Sequence, residues 1–310
     1  MFNIRLFKKG VYDLKPEQVI EIAKKHDLII KEDSIQLNES GLDFLVVFAT
    51  DTLGEKWVLR FPRREDVIPT KNKEKKILDL VEPQLSIQAP KWEIFTDEMI
   101  AYKQLKGVPV GTIDPVAKAY VWEIDEKNVP DQYHETLAKA MVSLHQMDQQ
   151  EAKSMGLTIE NPDEIRSSLK DRMEKVKVEF GVSQPLWDRW QSWLEDDSLW
   201  PQQVGLVHGD LHPGHILIDE NTHVTGFIDW TEAAVTDISR DFVIHYRAFG
   251  KEALDQLIMY YEKAGGYVWP LMANHIIELD AAYPVGIAEF ALKSGLEEYH
   301  QMAKETLGVS

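Results

Sequence analysis

A change of sequence pattern near residues 105–109 divides the chain into two parts of different character. Before it, short apolar segments alternate with turn residues, which predicts an antiparallel sheet. These predicted strands cover 35–37, 44–49, 57–61, 92–95 and 99–105. A charged segment, 70–82, keeps Ile77, Leu78 and Val81 at helical spacing and predicts one helix inserted among the strands.

Beyond residue 109 the pattern becomes mainly helical. The segment 134–147 repeats apolar residues on one helical face, and everything after Ser239 predicts further helices. A short β island interrupts this part, with strands expected at 204–207, 216–218 and 224–228. We therefore predict an α+β protein with a small N-terminal β lobe, a hinge and a larger mainly helical lobe. The lobes are expected at 1–105 and 109–310, and the hinge at about 102–108.

Composition limits the possible partners and compartments. The chain has 34 basic and 52 acidic residues, a formal net charge of −18, which disfavours binding to nucleic acid or to an anionic membrane surface. With 0 cysteines it forms no disulfide and offers no thiolate. No apolar run reaches the roughly 18 residues that would span a bilayer, and the first residues lack a signal-peptide core. We expect a cytoplasmic monomer.

The densest group of polar residues lies between two strands of the β island. Val207–Asp219 places His208, Asp210, His212 and His215 in a loop that contains glycine and proline. A second carboxylate, Asp229, ends the next apolar strand, 19 residues after Asp210. This pattern suits phosphoryl transfer, in which one aspartate accepts the proton of an attacking hydroxyl and another holds Mg²⁺ against the phosphates.

The joint pattern resembles the catalytic loop and metal-binding strand of the aminoglycoside phosphotransferase and protein-kinase superfamily. It is most similar to the macrolide 2′-phosphotransferases, over nearly the whole chain. The segments that carry the resemblance are 38–44, 57–64, 207–219, 225–233 and 264–270. The resemblance implies a bilobal protein-kinase-like fold. It also implies transfer of the γ-phosphoryl of a nucleotide, typically GTP, to the 2′-hydroxyl of the desosamine sugar of macrolide antibiotics.

The resemblance assigns roles around the transferred phosphoryl group. Asp210 matches the aspartate that orients the acceptor hydroxyl, and Asp229 matches the aspartate that binds one or two Mg²⁺ ions. His215 stands where kinases have an asparagine as second metal ligand. Because Mg²⁺ prefers oxygen, imidazole is a weaker ligand there or acts only as a hydrogen-bond donor.

Nucleotide-binding residues are implied in the N-terminal lobe. Arg60 falls where kinases place a lysine on the third strand, and Glu74 falls where its ion-pair partner lies on the following helix. Ser40 and Gly41 form the turn expected to cover the phosphates. Tyr102 to Leu105 is the expected hinge against the purine, where Tyr102 would disfavour adenine.

A macrolide needs an apolar cleft with carboxylates for its dimethylammonium group. An apolar C-terminal region supplies such candidates: Glu278, Asp280, Tyr283 and Glu289. In the same half of the chain, we expect the tryptophans of 187–200 to pack in the core. We expect His208 to brace the loop by hydrogen bonding rather than to act as a base.

Other functions stay open at this point. A related kinase could phosphorylate another small-molecule hydroxyl, such as that of an aminoglycoside. A metallophosphoesterase could use His208, Asp210, His212 and His215 as a dinuclear metal cluster, although its other motifs are absent from the sequence. A nucleotide-binding pseudokinase is a third possibility, against which the presence of both Asp210 and Asp229 argues.

Overall fold

The computed structural model describes residues 14–39, 43–64, 67–114, 117 and 119–309. The chain forms two compact units. The first comprises the described parts of Met1–Glu123 and Gly214–Thr231, and the second comprises Ile124–Pro213 and the described part of Glu232–Ser310. The boundaries of these units differ from those of the lobes predicted on either side of 105–109. The reason is that the predicted strand 216–218 pairs with residues 108–109 and so belongs to the first unit.

The main sheet of the first unit contains the five strands predicted before residue 105. They are β1 (Gln36–Asn38), β2 (Phe44–Thr50), β3 (Lys56–Pro62), β4 (Trp92–Phe95) and β5 (Ile100–Lys103). Their order is β1-β2-β3-β5-β4, and every neighbouring pair is antiparallel. The β2–β3 hairpin closes on Asp51, which accepts hydrogen bonds from the amides of Leu53 and Glu55.

Helices cover this sheet. Helix α1 (Pro16–Lys25) buries Val19 and Ala23 in the same cluster as Val47 and Leu59. Helix α2 (Ile68–Val81) is the helix predicted between the third and fourth strands, and it buries the predicted apolar stripe of Ile77, Leu78 and Val81. The central strand β3 is buried from Trp57 to Phe61, as expected for a strand covered on both faces.

A second sheet of the first unit joins residues distant in the sequence. Strand β6 (Val108–Pro109) pairs with β10 (Ile216–Ile218), which pairs with β11 (Val224–Phe227). Strands β7 (Gly111–Asp114) and β8 (Ala119–Trp122) form a hairpin. The predicted helical character does not begin at 109, because this hairpin occupies the segment. Its four-residue strands are too short to show a clear period of two.

The second unit is mainly helical, as predicted. Its helices are α3 (Asp131–His145), α4 (Gln149–Ser154), α5 (Pro162–Phe180), α6 (Gln184–Glu195), α7 (Arg240–Lys263), α8 (Met272–Ala281), α9 (Tyr283–Ser294) and α10 (Glu297–Leu307). Strands β9 (Gly205–Val207) and β12 (Ala234–Thr236) pair antiparallel beside them. Gly250 interrupts α7 with a left-handed φ of 83°. Across the described residues, none of the helices is both long and apolar enough to cross a lipid bilayer.

Tryptophans form much of the helical core, which confirms the expectation for 187–200. Trp190, Trp193 and Trp200 are buried, and the rings of Trp193 and Trp200 stack with centroids 4.8 Å apart. The indole of Trp193 donates to His275 Nδ1 at 3.1 Å, and His275 Nε2 lies 2.7 Å from the Asp237 carboxylate. Because Nδ1 accepts from the indole, Nε2 must carry the proton donated to Asp237. This chain of bonds fixes the segment that enters α7.

Candidate active site

The loop that follows β9 in the second unit is held by one buried carboxylate. Asp241, on α7, accepts hydrogen bonds from the backbone amides of His208 at 2.9 Å and Gly209 at 2.8 Å. The amide of Asp210 donates to His208 Nδ1 at 3.3 Å. His208 is fully buried and braces the loop, as predicted from the sequence. The backbone leading into Asp210 is therefore fixed on both sides of Gly209.

Gly209 is required by the shape of this loop. Its φ of +84° lies in the left-handed region, and an added Cβ would be 2.5 Å from the carbonyl oxygen of Glu232. The amide of His212 then donates to the carbonyl of Asp210 at 2.9 Å, which closes a tight turn after the aspartate. Such a turn lets a carboxylate sit at a defined place in a polar loop, as an acceptor of a substrate proton requires.

Asp229, in the first unit, stands two residues after the end of β11 in a strained conformation. Its φ is 64°, which is uncommon for a residue other than glycine. One carboxylate oxygen accepts from the Thr231 hydroxyl at 3.0 Å, and the side chain is 46% exposed. Strain of this kind persists where the surroundings fix the backbone, and it is concentrated at functional sites.

His215 lies beside Asp229 in the same unit. Its Nε2 is 3.8 Å from Asp229 Oδ2, too far for a hydrogen bond. The backbone of the two segments is joined, since the Ile228 amide donates to the His215 carbonyl at 3.0 Å. The pair offers one carboxylate oxygen and one imidazole nitrogen. The oxygen suits Mg²⁺ well and the nitrogen suits it less, so the donor set fits a metal held mainly by Asp229.

The predicted ion pair between Arg60 and Glu74 is present. Nη1 of Arg60, on β3, lies 2.7 Å from Oε1 of Glu74, on α2, and both side chains are buried. The guanidinium also lies 4.3 Å from the centroid of the Phe44 ring. Glu74 in turn lies 3.5 Å from the hydroxyl of Thr231, which is the residue bonded to Asp229. Helix α2 thus connects the cation of β3 to the segment after β11.

Burial and charge set the ionisation of this group. Burial alone would lower the pKa of Arg60, but the Glu74 carboxylate raises it above its usual value, so the guanidinium stays charged. Burial raises the pKa of Tyr102 to about 12, with Arg60 opposing the shift. Tyr102 is therefore a neutral, buried residue of β5. Ser40 and Gly41 lie outside the described residues, and the roles of Arg60, Glu74, Tyr102 and Leu105 toward a nucleotide stay predictions.

Arg247 contacts two of the residues predicted to bind the acceptor in the second unit. Arg247 Nε donates to Asp280 at 2.8 Å, and its guanidinium lies 4.1 Å from the centroid of the Tyr283 ring. Burial raises the pKa of Tyr283, the Arg247 cation opposes this, and the charges of Asp210 and Asp280 add to it. The charges of Asp210 and Asp280 thus both act on one phenol.

The other two predicted acceptor carboxylates are also paired with arginines. Arg189 donates two hydrogen bonds to the Glu278 carboxylate, at 2.7 and 3.1 Å. Arg172 donates two to the Glu289 carboxylate, at 2.7 and 2.6 Å. Both pairs have the two-pronged geometry that favours arginine over lysine. A cationic ligand would have to share or displace these partners. The expected roles of Glu278, Asp280, Tyr283 and Glu289 in binding stay predictions.

Known proteins share this sequence and architecture. A model of the phosphotransferase enzyme family matches residues 34–275. The chain belongs to this family. The predicted resemblance and the predicted α+β kinase-like fold are therefore confirmed, and the phosphotransferase interpretation is favoured over a metallophosphoesterase.

Solved phosphotransferases resemble this one along almost their whole length. The crystal structure of macrolide 2′-phosphotransferase MphH from Brachybacterium faecium is 32% identical, with a TM-score of 0.88 over 94% of this chain and 98% of that one. A macrolide 2′-phosphotransferase type I is 37% identical, with a TM-score of 0.85 over 96% and 98% of the two chains. A Bacillus subtilis (strain 168) protein described as uncharacterized, YcbJ, is 45% identical over 94% of this chain and 96% of its own.

Several residues of the candidate site escaped the sequence analysis. Asp241 was missed although it follows β12 closely, because nothing local shows that its carboxylate binds amides 32 and 33 residues earlier. Arg247 gave no signal either, since a single charge on a helix is usually solvated. Thr231 stood within the matched segment 225–233 but was assigned no role.

Proposed function

We propose that the protein transfers the γ-phosphoryl group of a nucleoside triphosphate to the 2′-hydroxyl of the desosamine sugar of macrolide antibiotics, and so inactivates them. The observation that carries this proposal is the similarity over 94–96% of the chain to two macrolide 2′-phosphotransferases at 32 and 37% identity. GTP is the expected donor in preference to ATP, on the strength of the sequence resemblance to that group.

Asp210 is proposed to act on the acceptor hydroxyl. The hydrogen bonds that backbone amides donate to Asp241 and His208 fix the backbone on its N-terminal side, and the tight turn fixes it on the other. A carboxylate held in this way orients the attacking hydroxyl and accepts its proton as the oxygen–phosphorus bond forms. A positioned base of this kind contributes about 10²–10⁴-fold to the rate.

Asp229 and Arg60 are proposed to serve the donor nucleotide. Asp229 would hold Mg²⁺ as an oxygen donor, with His215 as a weaker second ligand. A bound Mg²⁺ neutralises charge on the phosphates during transfer. Arg60, kept charged and oriented by Glu74, would bind the α- and β-phosphates, for which its fork of donors is suited.

The acceptor is proposed to be recognised through its cationic amine and its apolar ring. Asp280 is our preferred partner for the dimethylammonium group, because Arg247 bridges it and the Tyr283 ring, and the charge of Asp210 also acts on that phenol. The 2′-hydroxyl is a neighbour of this amine on the sugar, so an amine at Asp280 would bring the hydroxyl toward Asp210. Glu278 and Glu289 are the alternative partners.

Mass spectrometry of erythromycin incubated with the protein, Mg²⁺ and GTP tests this function. We expect a product heavier by one phosphoryl group that requires both nucleotide and protein. Asp210→Asn should slow product formation by about 10²–10⁴-fold, whereas Asp219→Asn, in the β10–β11 turn, should form the product at the wild-type rate. Kanamycin serves as the alternative acceptor, and its phosphorylation in place of erythromycin would assign the enzyme to aminoglycosides. Product formation without nucleotide would contradict a kinase.

A further inference from the structure

A buried chain of polar side chains runs behind the loop that carries Asp210. The Tyr261 hydroxyl lies 2.8 Å from His145 Nδ1, and His145 Nε2 lies 3.1 Å from Asp241 Oδ2. Asp241 in turn accepts hydrogen bonds from the backbone amides of His208 and Gly209. All three residues are buried: the exposed fraction is 1% for Tyr261, 6% for His145 and 2% for Asp241. The chain joins the end of α3 to both halves of α7, since Asp241 precedes the break at Gly250 and Tyr261 follows it.

The direction of each hydrogen bond follows from the chemistry of the groups. Burial alone would raise the pKa of Asp241, but bonds from His145 and the Gly209 amide hold it below its usual value, so the carboxylate is ionised. An ionised carboxylate only accepts, so His145 Nε2 carries a proton. The other ring nitrogen, Nδ1, lies 2.8 Å from the Tyr261 hydroxyl. That hydroxyl therefore holds the ring with Nε2 toward Asp241.

We propose that Tyr261 is a positioning residue for Asp210, acting through His145 and the Asp241 carboxylate. This inference rests on the proposed role of Asp210. Without the hydroxyl, the imidazole can rotate, and Asp241 loses its third donor. The carboxylate is then free to shift, and the amides of His208 and Gly209 shift with it. Because Gly209 is held in a left-handed conformation, its peptide planes set where the next residue, Asp210, lies.

The hydroxyl of Tyr261 can be separated from its ring by mutation. The ring packs edge-on against Phe242, with centroids 5.1 Å apart, and Tyr261→Phe keeps this contact. Tyr133→Phe is the matched control. It removes another buried tyrosine hydroxyl of the second unit, one that has no hydrogen-bond partner among the described residues. A general effect of losing a buried hydroxyl would appear in both variants.

We expect Tyr261→Phe to lower kcat about tenfold, with the KM values for GTP and erythromycin changed less than about twofold. Tyr133→Phe should leave all three unchanged. His145→Gln can still donate an amide proton near Asp241 and should resemble Tyr261→Phe, whereas His145→Leu should lose more. Adding Tyr261→Phe to His145→Gln should cause no further loss, because the hydroxyl acts through the imidazole. Additive losses, or an unchanged kcat in Tyr261→Phe, would overturn the inference.

Amide hydrogen exchange provides a measurement that does not depend on catalysis. The amides of His208 and Gly209 should exchange about tenfold faster in Tyr261→Phe than in the wild type or in Tyr133→Phe. Unchanged exchange would refute the network even if kcat fell. If the wild type phosphorylated no macrolide, the proposed function would fail, while the exchange rates would still decide whether Tyr261 holds the loop. If His145→Leu does not fold, Tyr261→Phe and His145→Gln carry the test.

Discussion

Glu74 on α2 lies 2.7 Å from Arg60 on β3, and only 1% of the glutamate side chain and 9% of the arginine side chain are exposed. Breaking such a buried pair leaves one charge without its partner, which typically destabilises a protein by about 3–5 kcal/mol. The pair therefore stabilises the first unit, and it also orients a cation that is proposed to bind phosphates. The two effects can be measured separately.

Glu74→Gln should raise the KM for GTP and lower the melting temperature, because Arg60 loses the charge that orients it. We expect the KM for erythromycin to change little. Enzyme kinetics and thermal unfolding measure the two effects. Asp79→Asn is the control, since it removes an exposed carboxylate of the same helix that pairs with Lys75 and should have little effect. A wild-type KM for GTP in Glu74→Gln would refute a role of this pair in nucleotide binding.

Asp210→Ala should lower kcat by about 10²–10⁴-fold, because the acceptor hydroxyl loses its base. Calorimetric titration should show nearly unchanged GTP affinity, because this residue is not proposed to contact the nucleotide. Turnover at the wild-type rate would remove Asp210 from the mechanism. Loss of GTP binding would instead assign it to the donor side.

Asp229→Asn should depress kcat at low Mg²⁺, with partial recovery when Mg²⁺ or Mn²⁺ is raised, because the lost interaction is with the cation. Asparagine tolerates the left-handed φ of 64° at this position, so the fold should be retained. Kinetics over a range of metal concentrations measure the effect. Normal turnover at low Mg²⁺ would contradict the kinase mechanism.

His215→Asn and His215→Ala extend this metal test. Asparagine supplies an oxygen ligand and should keep substantial activity with Mg²⁺, whereas alanine supplies none. If both variants were equally inactive, His215 would have a role that oxygen cannot fill.

Asp280→Asn should raise the KM for erythromycin strongly while leaving the KM for GTP nearly unchanged. The substitution removes the proposed partner of the dimethylammonium group and leaves Arg247 as an uncompensated cation beside it. Loss of one partner in a partly dry cleft typically corresponds to about 2–5 kcal/mol. Glu278→Gln and Glu289→Gln serve as comparisons, since each frees a different arginine. If all three variants kept the wild-type KM for erythromycin, this picture of acceptor binding would be wrong.

Stability should fall in mild acid because of two buried histidines. His134 and His245 lie with their Nε2 atoms 3.2 Å apart, and burial lowers their pKa values from 6.5 to about 4 and about 3, respectively. Asp131 opposes the shift at His134, and the neighbouring His134 adds to it at His245. Since the folded pKa values lie below the unfolded ones, unfolding takes up protons as the pH drops below about 6.5.

The free energy of unfolding should therefore be at its full value above pH 6.5 and decrease toward about pH 4. The slope is at most about 1.4 kcal/mol per pH unit for each histidine. Urea unfolding at pH 7.5, 6 and 5 measures it. His245→Leu should reduce the slope. An unchanged slope in His245→Leu would mean that this pair does not bind protons on unfolding.

Short-range patterns determined much of the fold. The hairpin around Asp51, the strands of the main sheet and helix α2 follow from apolar periodicity and turn residues within a few positions. The candidate residues Asp210, Asp229 and His215 were likewise found in one continuous stretch. Arg60 and Glu74 were paired by the resemblance to a known family, which carries tertiary information that the local pattern lacks.

Tertiary structure alone decided which distant residues meet. It placed 214–231 with the first unit, because β10 pairs with β6 more than a hundred residues earlier. It also gave each predicted acceptor carboxylate an arginine, from 33, 89 and 117 residues away. Side-chain pairing of this kind depends on which helix faces pack together, and a charge on a helix looks the same in sequence whether it is solvated or paired. For the same reason, Tyr261, His145 and Asp241 became a single network only once α3 and α7 had packed behind the loop of Asp210.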